Sequence, residues 1–235
     1  MRILIIRHSD PDYSNDTITE KGQREAEMTA LRLAKYNIKS CCVSPLGRAR
    51  DTAFYTLKKL GLDPESPNWM CRYKVLVTDK KTGEKHSPWD MLPEYWTAVP
   101  EYYSKDKWCS VPPFSESVMK DVYDSVCSGL DEVLERHGYK REESFYRVTA
   151  PNEDTIAFFC HFGVETLMLS HLLNISPVLM WHGFIAAPSS VTILTTEERR
   201  EGTAYFRMSE FGSTEHLYLY GEAPSKAGSF SETFR

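Results

Sequence analysis

The sequence predicts an α/β protein with three layers, in which helices cover both faces of a mostly parallel central sheet. Three short apolar runs, at residues 3–6, 40–43 and 155–160, indicate strands that are buried on both faces. A helical pattern follows each run, as is typical when helices connect parallel strands. The 235 residues suit a single domain, 1–235, that carries one insertion.

The composition narrows the class of protein. Hydrophobic residues make up 41% and charged residues 26% of the chain, as in ordinary globular proteins. The apolar runs are too short for a membrane span, and the first is too short for the core of a signal peptide. We therefore expect a cytoplasmic protein that binds no membrane. Because the net charge is −5 and no basic stripe is present, we expect no binding of nucleic acid.

The six cysteines indicate free thiols in a reducing compartment. They are scattered, apart from the adjacent Cys41 and Cys42, and form no C-x-x-C pair. The sequence therefore predicts neither a zinc site nor a redox motif, and no metal or cofactor is expected. It carries no signal for the oligomeric state.

The first helix follows a stretch of turn residues. Thr17 or Thr19 is the expected N-cap. Gly22, Ala26 and Ala30 then recur at helical spacing and form a face of small residues. This face is expected to pack closely against the sheet.

The second helix follows directly on the second strand. Ser44 is the expected N-cap, with Pro45 at the first helical position. Arg48 lies in the first turn, where the helix dipole disfavours a cation. A functional role is therefore favoured for Arg48 over Arg50.

Residues 63–113 differ in composition from the rest of the chain. Four of the five tryptophans lie here, and neither helical nor strand periodicity is clear. We expect an aromatic-rich insertion that folds over the sheet, either as a lid or binding loop or as a packing layer.

The remaining chain continues the alternation of helices and strands. Two helices are expected, over 117–136 and 164–173, with strands at 155–160, 191–194 and 205–208. The tail from about residue 221 is rich in Ser, Gly and Ala and is expected to be loose.

Polar side chains follow three of the predicted strands at the point where each strand ends. Arg7 and His8 follow the first, Arg48 comes soon after the second, and His161 follows the third. Because the carboxyl ends of parallel strands meet at one edge of a sheet, we expect these side chains to converge. Two arginines and two histidines at one point favour an anion, and a phosphoryl group matches arginine forks best.

Four motifs occur in the order and spacing of a known family. Arg7-His8-Ser9 is followed by Ile18-Thr19-Glu20-Lys21-Gly22, by a complete Ser-Pro-Leu-x-Arg-Ala-x-x-Thr-Ala run at residues 44–53, and by His161. By these motifs the chain resembles the histidine phosphatase superfamily, with its phosphoglycerate mutase-like fold, from residue 1 to about residue 194. The resemblance implies that a small phosphorylated substrate or inorganic phosphate binds at the site.

The resemblance also implies a covalent mechanism that requires no metal. His8 would attack the phosphorus atom and form a phosphohistidine, while Arg7, Arg48 and His161 hold the phosphoryl oxygens. A carboxylic acid would protonate the leaving oxygen and then activate water. Ser14 lies where mutase-type members place an asparagine that touches the phosphate, so Ser14 or Asn15 is a candidate phosphate ligand.

Two positions depart from the family pattern. Ser9 replaces a glycine that permits a close backbone approach, so either the loop differs or the Ser9 hydroxyl joins the pocket. Arg72 stands where a glutamate, the usual proton donor, is expected. The first substitute is Asp90, whose neighbour Trp89 would shield the carboxyl and raise its pKa, and Glu84 is the second. Asp90 is at least as well explained as the cap of a turn or short helix.

The leading interpretation is a phosphatase, a phosphoric monoester hydrolase acting on small phosphorylated metabolites. A phosphoglycerate mutase-type phosphotransferase is the first alternative, although the long mutase-specific segments are not evident. Arg72 motivates the second, a degenerate and non-catalytic phosphate binder. A metal hydrolase using His8 and His161 is disfavoured, since no acidic pair lies at ligand spacing beside them. The motifs do not specify the substrate.

Overall fold

The computed structural model describes residues 1–78 and 82–228. These residues contain the helices α1 Glu20–Leu33, α2 Gly47–Leu60, α3 Pro93–Trp96, α4 Met119–Arg136, α5 Phe162–Leu173, α6 Pro177–Gly183 and α7 Glu215–Tyr218. The strands are β1 Arg2–Arg7, β2 Pro11–Asp12, β3 Thr17–Ile18, β4 Ile38–Val43, β5 Val77–Thr78, β6 Lys85–His86, β7 Tyr139–Glu142, β8 Phe145–Val148, β9 Thr155–Cys160, β10 Val191–Arg200 and β11 Thr203–Ser213.

The central sheet has seven strands in the order β4-β9-β1-β10-β11-β8-β7. The α/β prediction is confirmed, but the sheet is mixed rather than mostly parallel. Strands β4, β9 and β1 run parallel, whereas β10, β11, β8 and β7 extend the sheet by antiparallel pairing. The reason is the short connections, because the hairpins β7–β8 and β10–β11 leave no room for the crossover that parallel strands need.

The three parallel strands bring their carboxyl ends to one edge of the sheet. The amide of His8 donates to the carbonyl oxygen of Cys160 at 3.0 Å, and the amide of Ser44 donates to that of Phe159 at 2.9 Å. The ends of β1, β4 and β9 are therefore held side by side by backbone hydrogen bonds. This edge is where the sequence placed the convergence of arginines and histidines.

The core lies on both faces of the sheet. Along β1, Ile3 and Ile5 pack into one hydrophobic cluster and Leu4 and Ile6 into the other. This alternation follows from the two-residue period of a strand. Helices α1 and α2 cover the side of Leu4, and α4, α5 and α6 cover the side of Ile3. Among the described helices, none is long and apolar enough to cross a bilayer.

The start of α2 differs from the expected one. The helix begins at Gly47, and Ser44 does not cap it. The amide of Gly47 instead donates to the Asp16 carboxylate at 2.8 Å. The Ser44 hydroxyl instead forms a hydrogen bond with a histidine described below. Arg48 lies in the first turn of α2, as expected.

The insertion, residues 63–113, consists of short elements joined by loops. Much of it forms an aromatic layer against the main body, in which Trp108 meets Phe114 at 5.3 Å and Trp181 at 5.7 Å between ring centroids. Trp108 and Tyr102 are 1% exposed. Of the two structures expected for the insertion, the packing layer is therefore present. A few residues of the insertion also line the cavity described below.

The tail is held in place as far as the structure describes it, which differs from the loose tail that its composition suggested. Glu222 accepts hydrogen bonds from Lys21 at 2.7 Å and Arg24 at 2.9 Å. The Ser225 hydroxyl donates to the carboxylate of Asp10. The part of the predicted loose tail from residue 229 to 235 lies outside the described residues.

Candidate active site

A cavity opens at the sheet edge where β1, β4 and β9 end. Its volume of about 190 Å³ is below the roughly 300–1,000 Å³ of drug-sized ligand sites, which suits a compact ligand. Its lining comes from the strand ends, the insertion and the tail: Arg7, His8, Tyr13, Arg72, Ser87, Trp89, Asp90, His161, Phe162, Gly163 and Gly228. Arg7, His8 and His161 are at most 4% exposed, so the deepest part of the lining contains one guanidinium and two imidazole rings.

The ring of His8 is fixed by the backbone. Its Nδ1 lies 2.9 Å from the carbonyl oxygen of Ser9. Because a carbonyl oxygen only accepts, Nδ1 carries the proton and donates it. Nε2 therefore keeps its lone pair, which is the form that a histidine nucleophile requires.

Burial keeps the His8 ring neutral. The pKa of His8 falls from 6.5 to about 3, mainly because burial disfavours the charged ring and next because Arg7 lies close. At neutral pH the lone pair on Nε2 is thus available without loss of a proton.

His161 packs beside His8, with the ring centroids 5.3 Å apart. Its Nδ1 lies 3.2 Å from Nη2 of Arg48, and its Nε2 lies 2.8 Å from the hydroxyl of Ser44. Because a guanidinium only donates, Nδ1 accepts, and Nε2–H points to Ser44. Burial, followed by the neighbouring His8 and arginine charges, holds the pKa of His161 well below its usual value.

Arg48 is fixed by a carboxylate from the loop after β2. Its Nη1 pairs with one oxygen of Asp16, whose other oxygen accepts the Gly47 amide. A Cβ at Gly47 would lie 2.0 Å from the carbonyl oxygen of Asp16, so only glycine permits this approach. The buried Nε–H of Arg48 has no protein partner in the described part of the chain. It is an unused donor close to His161.

The guanidinium of Arg7 forms hydrogen bonds with the tail. Its Nη2 donates to the carbonyl oxygen of Ala227 at 3.2 Å and its Nη1 to those of Gly228, at 3.5 Å, and Ala186. The buried Nε–H of Arg7, like that of Arg48, has no partner among residues 1–78 and 82–228. Both guanidiniums thus keep a buried donor without an acceptor in these ranges; Arg7 lines the cavity, whereas Arg48 lies behind it against His161.

The sequence analysis did not identify Glu165, a buried acid in α5. Glu165 is fully buried, and its Oε1 accepts a 2.6 Å hydrogen bond from Thr192. Burial raises its pKa to about 7, although the charge of nearby Arg7 opposes the shift. The available signal was one acidic residue, four positions after His161, in a mostly apolar helix.

The two candidate proton donors lie in different surroundings. Asp90 lines the cavity beside Trp89, at the end of a turn in which its amide donates to Ser87 at 3.0 Å. Asp90 and Glu84 are both exposed, so Trp89 does not bury Asp90 as the sequence suggested, and Glu84 does not contribute to the lining. The structure therefore brings Asp90, and not Glu84, to the basic side chains.

Neither serine of the loop after β1, Ser9 or Ser14, lines the cavity. Ser9 is fully buried, with its hydroxyl 2.6 Å from that of Ser189, so it joins the neighbouring loop rather than the cavity. Ser14 is exposed, and its amide donates to Asp12. Instead of Ser14, Tyr13 lines the cavity, with its ring edge-on to His8 at 6.2 Å. The sequence analysis did not single out Tyr13.

Because folded His8 stays neutral, we expect the free energy of unfolding to depend on pH. In the unfolded chain a histidine takes up a proton near pH 6.5, whereas folded His8 stays neutral down to about pH 3. The unfolded state binds more protons in this window, so the free energy of unfolding decreases as the pH falls below 6.5. We expect His8→Asn to reduce this slope by up to about 1.4 kcal/mol per pH unit.

Urea unfolding of wild type and His8→Asn at several pH values between 7 and 4 measures this slope. Parallel stability curves for the two proteins would show that folded His8 takes up its proton as readily as in the unfolded chain.

The fold and the site together define a class: an α/β protein in which buried arginines and neutral histidines lie in or directly beside a cavity that suits a small phosphoryl-like anion. The model of the histidine phosphatase superfamily (branch 1) matches residues 3–207. The chain belongs to this superfamily, and it is accordingly a phosphoric monoester hydrolase. A sequence search among curated proteins gave no significant match.

Solved structures share the fold at low sequence identity. A phosphoserine phosphatase from Entamoeba histolytica, in complex with 3-phosphoglyceric acid, is 17% identical with a TM-score of 0.59, over 92% of this chain and 98% of that one. A mycobacterial glucosyl-3-phosphoglycerate phosphatase is 15% identical with a TM-score of 0.61, over 91% and 99%. Its vanadate complex is similar at 19% identity and a TM-score of 0.60, over 91% and 99%.

Proposed function

We propose that the protein hydrolyses a small phosphorylated metabolite through a phosphohistidine on His8. The observation that carries the proposal is the tautomer of His8, whose Nδ1–H is bound by the Ser9 carbonyl and whose Nε2 lone pair is free. The unused donors on Arg7 and Arg48 support a phosphoryl group beside it.

In the first step, Nε2 of His8 attacks the phosphorus atom while the bond to the leaving oxygen breaks. Arg7 and Arg48 hold the phosphoryl oxygens and stabilise the charge of the transition state. A bound dianion opposes the arginine charges that lower the pKa of His161, so the ring binds a proton from solvent and, as an imidazolium, donates a hydrogen bond to a phosphoryl oxygen. In the second step, the carboxylate that gave its proton to the leaving oxygen accepts a proton from the attacking water, the bond between phosphorus and Nε2 of His8 breaks, and phosphate leaves.

Asp90 is our candidate for the acid that protonates the leaving oxygen. An alkyl leaving group needs this proton, whereas an aryl leaving group departs largely without it. We expect Asp90→Asn to lower kcat for an alkyl phosphate by about 10²-fold and for 4-nitrophenyl phosphate by only a few-fold. Steady-state phosphate release from both substrates measures the difference.

Glu84→Gln is the matched control, since it removes an exposed acid of the same insertion that does not line the cavity. Equal losses for alkyl and aryl phosphates in Asp90→Asn, or a selective loss in Glu84→Gln, would exclude Asp90 as the donor.

The solved structures indicate a class of substrate for the proposed reaction. The names of two of them specify phosphoserine and glucosyl-3-phosphoglycerate as substrates, and the structures include complexes with 3-phosphoglyceric acid and vanadate. A cavity of about 190 Å³ favours the smaller of these ligands, phosphoserine and 3-phosphoglyceric acid.

The proposal includes no metal ion and places the enzyme in the cytoplasm. Arg7 and Arg48 supply the positive charge that a metal would supply elsewhere. Within the described ranges, no three His, Cys, Asp or Glu side chains are grouped as ligands for a metal. The six cysteines are all free, which fits a reducing compartment. A chelator is expected to leave the rate unchanged.

Phosphate release from 4-nitrophenyl phosphate, phosphoserine and 3-phosphoglycerate tests the proposed function. We expect turnover of the aryl phosphate and of at least one metabolite. Transfer of the phosphoryl group between carbons of phosphoglycerate, with a bisphosphate primer, would instead identify a mutase. Vanadate binding without turnover of any phosphomonoester would identify a non-catalytic binder.

A further inference from the structure

Arg72 belongs to the cavity but not to the buried group of cations. It lines the cavity together with Arg7, His8 and His161. Arg7 and Arg48 are 4% and 5% exposed, whereas Arg72 is among the exposed residues. Arg72 therefore lies nearer to the mouth of the site, outside the position where the phosphoryl group binds.

The backbone at Arg72 is anchored on both sides. Met70, two residues earlier, is fully buried in the core. Tyr73, the next residue, donates a 3.4 Å hydrogen bond to the carbonyl oxygen of Gly163. A Cβ at Gly163 would lie 2.9 Å from the Tyr73 hydroxyl, so the two segments approach as closely as glycine allows. This packing directs Arg72 towards the cavity instead of leaving it on a free loop.

The guanidinium of Arg72 has no anionic partner. Within residues 1–78 and 82–228 it forms no ion pair and no hydrogen bond, whereas Arg48 pairs with Asp16. Both guanidiniums lie near the Tyr13 ring, with their carbon atoms 5.5 Å (Arg48) and 6.0 Å (Arg72) from its centroid. The charge of Arg72 is also close enough to lower the pKa of His8 and His161.

We propose that Arg72 binds a second anionic group of the substrate, so that the preferred substrates are phosphomonoesters with a carboxylate or second phosphate near the esterified oxygen. This inference rests on the proposed function. A phosphoryl dianion is already matched by Arg7 and Arg48, so an additional unpaired cation at the mouth favours charge on the leaving group. Arg72 is accordingly a specificity-determining residue, in place of the acid that the family pattern leads one to expect there.

The test compares ligands that differ only in the second anion. In a His8→Ala background, calorimetry measures the affinity of 3-phosphoglycerate and of glycerol 1-phosphate, in which a hydroxymethyl group replaces the carboxylate. Glycerol 1,3-bisphosphate, which carries a second phosphate instead of the carboxylate, is the third ligand and provides the second arm of the test. Each affinity is measured again after Arg72→Gln and after Arg50→Gln, which removes an exposed arginine of α2 that does not line the cavity.

We expect Arg72→Gln to lower the affinity ratio of at least one anionic ligand to glycerol 1-phosphate by about tenfold or more, and Arg50→Gln to preserve it. The arm that responds identifies the anion as a carboxylate or a phosphate. An unchanged ratio in both arms would overturn the inference, as would binding that weakens equally for all three ligands.

Turnover separates this inference from the proposed function. If wild type hydrolyses 4-nitrophenyl phosphate but the affinity ratios do not depend on Arg72, the inference alone fails. If no phosphomonoester is hydrolysed while the ratios do depend on Arg72, the proposed function fails and Arg72 remains a determinant of ligand choice.

Discussion

Replacing His8 with alanine is expected to slow phosphate release from 4-nitrophenyl phosphate by about 10⁴-fold or more. The variant lacks the Nε2 lone pair that attacks phosphorus, and losing a nucleophile has effects of this size in other covalent enzymes. Because Arg7, Arg48 and His161 remain, the variant should still bind vanadate. Steady-state rates and vanadate affinity, measured on the same preparation, give both quantities.

A second histidine variant provides the control. His137→Ala removes a half-buried histidine at the far end of α4, where the ring contacts Ser40 and Asp154 and not the cavity. It should retain wild-type turnover. Added imidazole should also restore part of the activity of His8→Ala, since it supplies the missing nucleophile. A His8→Ala variant with nearly full activity would mean that a different group attacks.

Arg48→Ala should have the second largest effect, a loss of about 10²–10³-fold in kcat/KM. Arg48 contributes the unused Nε–H and also donates to Nδ1 of His161, so its removal affects two groups that hold the phosphoryl oxygens. It also leaves Asp16 without its ion pair. The loss should be similar for aryl and alkyl phosphates, because it concerns the phosphoryl group and not the leaving group.

Arg50→Ala is the matched control for Arg48→Ala. Arg50 lies two residues further along α2 and is exposed. Its substitution should change kcat/KM by less than about twofold, as expected for a surface residue. Equal losses in Arg48→Ala and Arg50→Ala would indicate a general effect of charge, and would contradict a specific role for Arg48.

The convergence of the site was predictable because it follows from backbone geometry. Once residues 3–6, 40–43 and 155–160 are parallel neighbours, Arg7, His8 and His161 must emerge at one edge. The unfavourable position of Arg48 at the positive end of α2 was a local signal that needed no tertiary information. These features depend on short-range rules, which a single sequence carries.

Other features depend on contacts between distant segments. Ser44 has the sequence of an N-cap, but its hydroxyl meets His161, 117 residues away. The tail reaches Arg7 across 220 positions or more, and nothing in its Ser- and Gly-rich composition indicates that contact. The antiparallel half of the sheet was missed in part because the hairpin β7–β8 has mostly polar or exposed residues in short strands.

The most direct test of the central claim is to identify the covalent intermediate. Wild type is mixed with a substrate that it hydrolyses, quenched in alkali within one turnover, digested and analysed by mass spectrometry, with phosphorus NMR to distinguish the two ring nitrogens. We predict one phosphorylated peptide, which contains His8 modified at Nε2, and none in His8→Ala. Phosphate on any other residue, or turnover with no phosphorylated enzyme at any time, would contradict the account.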